Sequence, residues 1–384
     1  MTFVYELQEG SSWPPQGGIT PPYSPSLIEI IRSCPLRIYF STDKRYQRRT
    51  GSAARIGTAM HKTIRYLSDE MGNLVNRDDY VDRVSEKFLN ELALQKEQSQ
   101  EYPRERSLTW DPSRISAAHE AVISEALRLK QLPYAPVKPR LQQPVLETNN
   151  ISQDELPLIL PAMEMRVQSC DKLMIGYIDR IEEVEEGIRI IDYKSAARED
   201  LPERYERQIQ LYAKLFFDTT GLWPREGVLF YPLLARIFFV AIDKATCNAV
   251  YEETKQVVSI LSEKKNKYAL AKPGDVCKVC EFRPWCNPFW HWIEGEEVLV
   301  NAKEKAIIGF EGIILGNQLK EHYWRLELKW RNKTIHFAVP QERFRHLAKA
   351  KAGQKVKFID TLLHGSISQP TIRIYDTSEI FLVK

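Results

Sequence analysis

The sequence of 384 residues lacks the features of membrane, secreted and motor proteins. No run of apolar residues approaches the length that spans a bilayer. The N-terminus, MTFVYELQEGSS, does not show the basic-then-apolar pattern of a secretion signal. A GxxxxGK[ST] nucleotide-binding motif is also missing, so the chain carries no ATP-driven helicase of its own. We therefore expect a soluble, cytoplasmic protein without a membrane partner.

Net charge is small for the whole chain but not for its C-terminal part. The 54 Lys and Arg nearly balance the 51 Asp and Glu. Residues 301–384 contain 15 Lys and Arg against 8 Asp and Glu, a balance of +7, which leaves −4 for the first 300 residues. This asymmetry indicates an anionic partner for the C-terminal part, although lysine-rich surfaces are common without one. A basic stretch at 44–55, KRYQRRTGSAAR, fits either phosphate contacts or a solvated loop.

Cysteine is scarce, but three of the six cysteines stand close together. A chain of this length can bury a sizeable core without disulfides, so metal ligation explains the spacing better. Cys277, Cys280 and Cys286 form a C-x2-C-x5-C pattern, which predicts a metal ion or an iron–sulfur cluster rather than three core cysteines. Structural zinc is the alternative to iron.

Three ligands leave a fourth to be found. Cys170 and Cys247 are candidates, but Cys34 is better placed because Pro35 and the aromatic LRIYF follow it. If Cys34 completes the set, the metal group staples the first and last parts of the body together. Cys170 and Cys247 are then ordinary small core residues.

Residues 173–195 (LMIGYIDRIEEVEEGIRIIDYKS) predict two strands joined by a tight acidic turn. If the two glutamates of VEEG form the tip, Asp179 on the first strand lies opposite Asp192 on the second. Lys194 shares a face with Asp192 because strand side chains alternate with a period of two. Facing carboxylates repel unless a cation lies between them, so the hairpin predicts a Mg²⁺-type site beside a lysine. A solvated hairpin with surface charges is the alternative.

An earlier helix and two acidic residues are further candidates for this site. Residues 56–71 (IGTAMHKTIRYLSDEM) predict an amphipathic helix with Gly57 and His61 on one face, where the glycine leaves space over the imidazole for a ligand. A partly buried helix histidine is the alternative. Glu147 and Glu164 stand on strand-like runs, and either can reach the metal site or be a surface acid.

A second helix follows the hairpin. Residues 201–218 (LPERYERQIQLYAKLFFD) are strongly amphipathic, with Gln208 and Tyr212 on one face. This pair can hold a phosphate or a base. A core tyrosine beside a surface glutamine is the alternative.

From residue 306 the composition becomes all-β. Five strand-like runs, with a helical ERFRHLAKA between the third and fourth, match the order of an OB-fold barrel. The mixture of aromatic and basic residues suits stacking of single-stranded nucleic-acid bases, although part of the rings must fill a small barrel core. The aromatic residues concerned are Tyr323, Trp324, Trp330, Phe337 and Phe358.

Together these motifs resemble the RecB-like branch of the PD-(D/E)XK nuclease superfamily in its iron–sulfur form. That form occurs in the AddB helicase-nuclease subunit and in the CRISPR-associated adaptation exonuclease. The resemblance covers about residues 24–290, and the specific feature is the order of the motifs rather than any one of them. In chain order they are YSPSLIEIIRSCP with Cys34, GxxxH at Gly57–His61, GxxD at Gly176–Asp179, DYK at Asp192–Lys194, QxxxY at Gln208–Tyr212 and the three late cysteines.

The resemblance implies an α/β, restriction-endonuclease-like mixed sheet flanked by helices. It also implies that Lys194 orients the attacking water, that Gln208 and Tyr212 help to position DNA, and that a [4Fe–4S] cluster has a structural role. Mg²⁺ or Mn²⁺ would be held by His61, Asp179, Asp192 and the backbone carbonyl of Tyr193. The cluster would be held by Cys34, Cys277, Cys280 and Cys286.

These expectations give a domain plan and a function. We expect an extended, Pro/Gly/Ser-rich lead-in at 1–23, a nuclease domain at 24–298 with a helical insertion at about 72–140, and an OB-like barrel at 301–384 that grips nucleic acid. The expected activity is metal-dependent DNA cleavage, as an exonuclease on single-stranded or frayed DNA in repair or recombination. The alternative is a non-catalytic DNA-binding scaffold, or a partner subunit of a separate helicase.

Overall fold

The computed structural model describes residues 6–7, 14–74, 78–106, 108–131, 160, 162–185, 187–195, 199–263, 266–293, 308–330, 332–366 and 369–384. The α-helices in these residues are α1 (Pro25–Ser33), α2 (Leu36–Thr42), α3 (Ser52–Leu74), α4 (Tyr80–Glu101), α5 (Pro112–Lys130), α6 (Glu203–Thr220), α7 (Lys244–Glu263) and α8 (Asn287–Ile293). The strands are β1 (Glu6–Leu7), β2 (Ala162–Gln168), β3 (Ile175–Val184), β4 (Gly187–Tyr193), β5 (Glu226–Tyr231), β6 (Arg236–Ala241), β7 (Ile308–Lys320), β8 (Tyr323–Trp330), β9 (Lys333–Pro340), β10 (Lys355–Ser366) and β11 (Gln369–Val383). Glu147 and the last part of the expected insertion lie outside the described residues.

Helix boundaries follow local sequence signals. The Ser24 hydroxyl accepts a hydrogen bond from the Leu27 N–H at 3.2 Å, and Pro25 occupies the first position of α1. Helix α6 ends at Gly221, whose φ of 75° is readily adopted only by glycine. Helices α4 and α5 lie within the expected helical insertion at about 72–140.

The first sheet, called the central sheet, has the strand order β2-β3-β4-β5-β6. Strands β4 and β5 are parallel and the other neighbours antiparallel, so the sheet is mixed. The β3–β4 hairpin pairs Arg180 with Ile191, and Val184 with Gly187. One residue beyond the Arg180–Ile191 pair, the two strands carry Asp179 and Asp192. The predicted register of the hairpin is therefore confirmed.

Helices cover both faces of the central sheet. Helices α1, α6 and α7 pack on the face that carries Ile190 and Leu229. Helices α3, α4 and α5 pack on the opposite face, which carries Ile191 and Tyr193. This is the mixed sheet flanked by helices that the resemblance implies. No helix among the described residues is long and apolar enough to cross a membrane.

The C-terminal sheet has the order β1-β11-β10-β7-β8-β9. Its five later strands follow the predicted succession. A short helix stands between the third and the fourth as predicted, and it is a 3-10 helix, Arg345–Lys349. Within the described chain, hydrogen-bonded pairing leaves β9 and β1 as the two ends of the sheet, although Cα atoms of β9 and β11 come within 8 Å. Among the described residues, the expected barrel is therefore not closed by hydrogen bonds between its end strands. Glu6 and Leu7, from the expected lead-in, form its parallel edge strand.

Most of the aromatic rings expected to stack on bases belong to the core of this sheet. Trp324, Trp330 and Phe358 are buried, and Phe337 packs against them. Tyr323 is the exception, with 51% of its surface exposed. Alternation along the strands directs the large rings inward because a small sheet needs them to fill its core.

Buried ion pairs and aromatic packing join the C-terminal sheet to the rest of the chain. Nε and Nη2 of Arg104 donate to the Glu379 carboxylate at 2.9 and 2.8 Å, and the guanidinium lies 4.9 Å from the centre of the Trp285 ring. Nη2 of Arg283 lies 2.6 Å from Oδ1 of Asp360. Trp285 and Arg283 belong to the segment of the three late cysteines, so the C-terminal sheet rests on that segment.

Candidate active site

A cavity of about 300 Å³ opens where β3 and β4 meet α1, α3 and α6. It brings together all the residues predicted for the metal and DNA site and adds three that sequence reasoning missed. The predicted residues are His61, Asp179, Asp192, Tyr193, Lys194, Gln208 and Tyr212, and the additional ones are Ser26, Ser195 and Tyr205.

The two aspartates share the cavity and interact electrostatically, with Asp192 buried and Asp179 half-buried. Oδ2 of Asp179 accepts a hydrogen bond from the Tyr193 N–H at 2.7 Å, which ties β3 to the end of β4. Burial and the charge of Asp192 raise the pKa of Asp179 well above its ordinary value of 3.8. Glu164, which stands opposite Asp179 on β2 with a φ of 48°, adds to this effect. A cation between the two aspartates would favour the ionised form of Asp179.

Lys194 is held between an aspartate and a glutamine. Nζ of Lys194 lies 2.5 Å from Oδ2 of Asp192 and forms an ion pair with it, but the geometry is not that of a hydrogen bond. The buried Oδ2 of Asp192 therefore accepts no hydrogen bond within the described structure. Nζ donates to Oε1 of Gln208 at 3.0 Å and lies 4.7 Å from the centre of the Tyr205 ring. The ammonium is thus fixed at the cavity wall.

His61 reaches the cavity from α3. Burial lowers its pKa below 6.5, more than the nearby Asp192 raises it, and therefore favours the neutral imidazole that ligates metals. The space above Gly57, expected to receive a ligand, is taken by Ser195. A Cβ atom at residue 57 would lie 2.2 Å from the Ser195 Oγ. This glycine therefore allows α3 to approach the end of β4.

Gln208 and Tyr212 share one face of α6 as predicted, but both are nearly buried, with 4% and 7% of their surfaces exposed. Nε2 of Gln208 donates to the Ser26 hydroxyl at 3.0 Å, while its Oε1 accepts from Lys194. Gly176 lies against the Tyr212 ring, with space for no side chain between them. Both polar groups thus face the other residues of the site.

The three missed residues carried weak signals. Tyr205 stands one helical turn before Gln208, and Ser195 directly follows Lys194, so periodicity and adjacency could have indicated both. Ser26 lies in α1, far along the chain, and only the packing of α1 on α6 brings it to the site.

The donor types fit a divalent cation. A buried, incompletely hydrogen-bonded carboxylate oxygen, a second carboxyl with a raised pKa and a neutral imidazole are ligands that Mg²⁺ or Mn²⁺ accepts. Among the described residues, however, no group of three or more His, Cys, Asp or Glu side chains is already arranged as a finished metal site.

The four cysteines predicted to hold a cluster line a second cavity, with apolar neighbours that include Leu36 and Phe40. Cys34 lies at the C-terminal end of α1, and the other three lie in or directly after two 3-10 helices, Asp275–Val279 and Arg283–Trp285. All four are free thiols. The structure therefore brings Cys34 to the late cysteines across most of the chain.

The cysteine cavity disfavours bare thiolates. Burial raises the pKa of Cys280 to about 12 and that of Cys286 well above 9.0, and it also raises the pKa of Cys277. A bound metal would supply the positive charge that deprotonates such thiols, so the donor set fits a metal group. Cys170 is exposed and Cys247 lies in the core of the central sheet, away from this cavity.

The mixed central sheet thus brings two aspartates and a lysine into one cavity. The sequence profile of the PD-(D/E)XK nuclease superfamily matches residues 22–287, and the chain belongs to this superfamily. No curated protein matches the chain significantly.

Three solved structures show limited similarity. "Crystal structure of SSO0001" is 21% identical with a TM-score of 0.22, over 33% of this chain and 60% of that one. "Crystal structure of the tetrameric p202 HIN2" is 8% identical with a TM-score of 0.17, over 20% and 41%. "Structural mimicry for functional antagonism" is 8% identical with a TM-score of 0.18, over 52% and 79%. The chain spans less than two thirds of the length of the first two structures, and the three TM-scores are too low to indicate a shared fold.

Proposed function

We propose that the chain is a metal-dependent deoxyribonuclease that hydrolyses phosphodiester bonds with Mg²⁺ or Mn²⁺. The observation that carries this proposal is the convergence of His61, Asp179, Asp192 and Lys194 in one cavity. Membership of the superfamily supports the nuclease reaction and DNA as its substrate. The RecB-like branch, and an exonuclease acting on single-stranded or frayed DNA in repair or recombination, rest on the order of the motifs.

The proposed roles combine the motif resemblance with the contacts in the cavity. His61, Asp179, Asp192 and the Tyr193 carbonyl would hold the metal, which when bound supplies a Lewis acid and lowers the pKa of a water molecule. Lys194 orients the attacking water and offsets charge at the phosphate. Gln208 acts through Lys194, because its amide oxygen accepts from the ammonium and little of it is exposed to DNA.

We also propose that the four cysteines hold a structural [4Fe–4S] cluster. Their meeting in one buried cavity supports this role. The C-terminal part at 301–384 would bind single-stranded DNA as an OB-like domain beside a nuclease domain at 24–298, and its charge balance of +7 supports an anionic ligand. A helicase, where the pathway needs one, would be a separate subunit.

The test is cleavage of end-labelled single- and double-stranded DNA by anaerobically purified protein with Mg²⁺ or Mn²⁺. We expect metal-dependent degradation that Asp192→Asn and Lys194→Ala abolish, while Asp82→Asn, an exposed acid on α4, retains it. The product ladder gives the polarity. Tight binding without cutting would overturn the nuclease proposal and favour a scaffold or helicase-partner subunit.

The optical spectrum of the same preparation tests the cluster. An iron–sulfur protein is brown, and a zinc protein is colourless. A colourless, folded protein with stoichiometric zinc would overturn the cluster and leave the nuclease proposal intact.

A further inference from the structure

Three buried side chains form a hydrogen-bonded triad behind the candidate active site. The hydroxyl of Tyr193 on β4 donates to Oε1 of Glu125 on α5 at 2.6 Å. Nη1 of Arg180 on β3 donates to the same oxygen at 3.2 Å and lies 3.5 Å from the Tyr193 hydroxyl. One carboxylate oxygen thus joins the two strands of the hairpin to a helix.

Each strand residue of the triad directly neighbours a proposed metal ligand. Arg180 follows Asp179, and Tyr193 follows Asp192. Since strand side chains alternate, the aspartates face the cavity while Arg180 and Tyr193 point to the opposite face, against α5. The same Tyr193 offers its N–H to Asp179. Tyr193 is thus bonded covalently to Asp192 and by a hydrogen bond to Asp179. A rotation of the Tyr193 backbone therefore moves both carboxylates.

The triad is built to hold its geometry. Arg180 is completely buried, and Glu125 and Tyr193 are each 2% exposed, so none of them can exchange its partner for bulk water. The outer groups are also engaged, because Arg128 donates to both oxygens of Glu125 and Nη2 of Arg180 lies 2.6 Å from Glu182. Nε and Nη2 of Arg180 make no hydrogen bond within the described structure, so the hydrogen bonds of Nη1 to Glu125 and Tyr193 orient this guanidinium. Removing one partner of such a buried charge pair leaves the other charge uncompensated.

We propose that Glu125, Arg180 and Tyr193 are positioning residues that fix the separation of the metal-binding atoms of Asp179 and Asp192. This inference rests on the proposed nuclease function. It also gives α5, which lies in the expected helical insertion, a part in the reaction: the helix supports the catalytic hairpin from the face opposite to the substrate. Partners that orient metal ligands in this way typically change metal affinity by about 10- to 100-fold when they are removed.

The experiment measures Mn²⁺ binding to the full chain by electron paramagnetic resonance, without DNA and without turnover. Tyr193→Phe removes only the hydroxyl, and Glu125→Gln keeps the shape but removes the charge. Tyr80→Phe is the matched control, because Tyr80 is equally buried in the same helical layer and donates to the carbonyl of Ala126 on α5 at 3.0 Å. Thermal melting by circular dichroism establishes that each variant is folded.

We expect Tyr193→Phe and Glu125→Gln to weaken Mn²⁺ binding by about 10-fold or more, and Tyr80→Phe to leave it within about twofold. Wild-type affinity in both folded triad variants would overturn the positioning role while the proposed function stands. Equal weakening in Tyr80→Phe would also overturn it, because the effect would then be one of general packing. Wild-type protein that binds no Mn²⁺ would overturn the proposed function, and this inference with it.

Discussion

Gly57→Ala should disable the candidate active site without altering any of its polar groups. The added methyl group would lie 2.2 Å from Oγ and 2.5 Å from Cβ of Ser195, where ordinary contacts begin near 3.4 Å. Either α3 or the end of β4 must therefore move by about 1 Å, which carries His61 or Lys194 with it. A misplacement of this size costs about 100-fold in rate, and overpacking costs about 1–3 kcal/mol of stability.

The assay is the initial rate of Mn²⁺-dependent cleavage of labelled single-stranded DNA, with thermal melting in parallel. Gly51→Ala is the control, because Gly51 directly precedes α3 and has open space around its Cα; its rate should stay within about twofold of wild type. Gly57→Ala combined with Ser195→Gly removes the colliding atoms and should recover most of the rate. Gly57→Ala that cleaves and melts like wild type would refute the reasoning.

Two further predictions concern the C-terminal sheet and the cysteine cavity. Burial opposes the ionisation of Glu379, but Arg104 and other arginines outweigh this effect and hold the pKa of Glu379 below 4.5. The ionised carboxylate therefore stabilises the fold above pH 4.5, and this contribution is lost as the pH falls through the lowered pKa. Glu379→Gln should lose about 3–5 kcal/mol at neutral pH, because the buried Arg104 guanidinium loses its carboxylate partner. The melting temperature of this variant should also depend less on pH below about 5. Cys34→Ser should lose the iron–sulfur absorption and melt at a lower temperature, whereas Cys170→Ser, with its exposed thiol, should keep both.

Each of these predictions has a contrary outcome. Wild-type and Glu379→Gln proteins with parallel pH profiles would show that this carboxylate does not govern acid stability. Unchanged absorption in Cys34→Ser would mean that another group completes the ligand set. Loss of absorption in Cys170→Ser would contradict the assignment of the cavity.

Local patterns predicted the parts of the site that depend on local geometry. A two-residue turn and the period of a strand are enough to place Asp179 opposite Asp192 and Lys194 beside it, and the pairing of Arg180 with Ile191 agrees. Helical spacing likewise placed Gln208 and Tyr212 on one face. These relations hold within single elements or hairpins.

The relations that failed to appear in the sequence are tertiary. Nothing local shows that Ser195 fills the space above Gly57, or that Gln208 bonds to Lys194 rather than to a ligand. The basic stretch at 44–55 gave no sign of its partners either, yet each of its arginines forms an ion pair with an acidic residue of the same chain. The ion pairs are Arg45–Asp43, Arg48–Glu281, Arg49–Glu379 and Arg55–Glu105.

The C-terminal sheet shows the same division. Strand order could be counted from alternating runs, but closure of the sheet depends on edge pairing between distant strands, including the parallel contact of β1 with β11. The alternation of side chains along a strand places the rings on one face or the other. Which of these two faces is buried is fixed only when the sheet packs, and Tyr323 lies on the exposed one.

The separation of Cys34 from the other three cysteines along the chain has a consequence for biosynthesis. Every residue that lines the candidate active-site cavity precedes Gly221, whereas Cys34 meets its partners only after Cys286 has been synthesised. Closing so long a loop is slow and entropically costly, so any metal group enters late in maturation. Until the segment with Cys277, Cys280 and Cys286 is made, it cannot pack against Leu36 and Phe40. A chain truncated before Cys277 therefore exposes this apolar surface, which promotes aggregation.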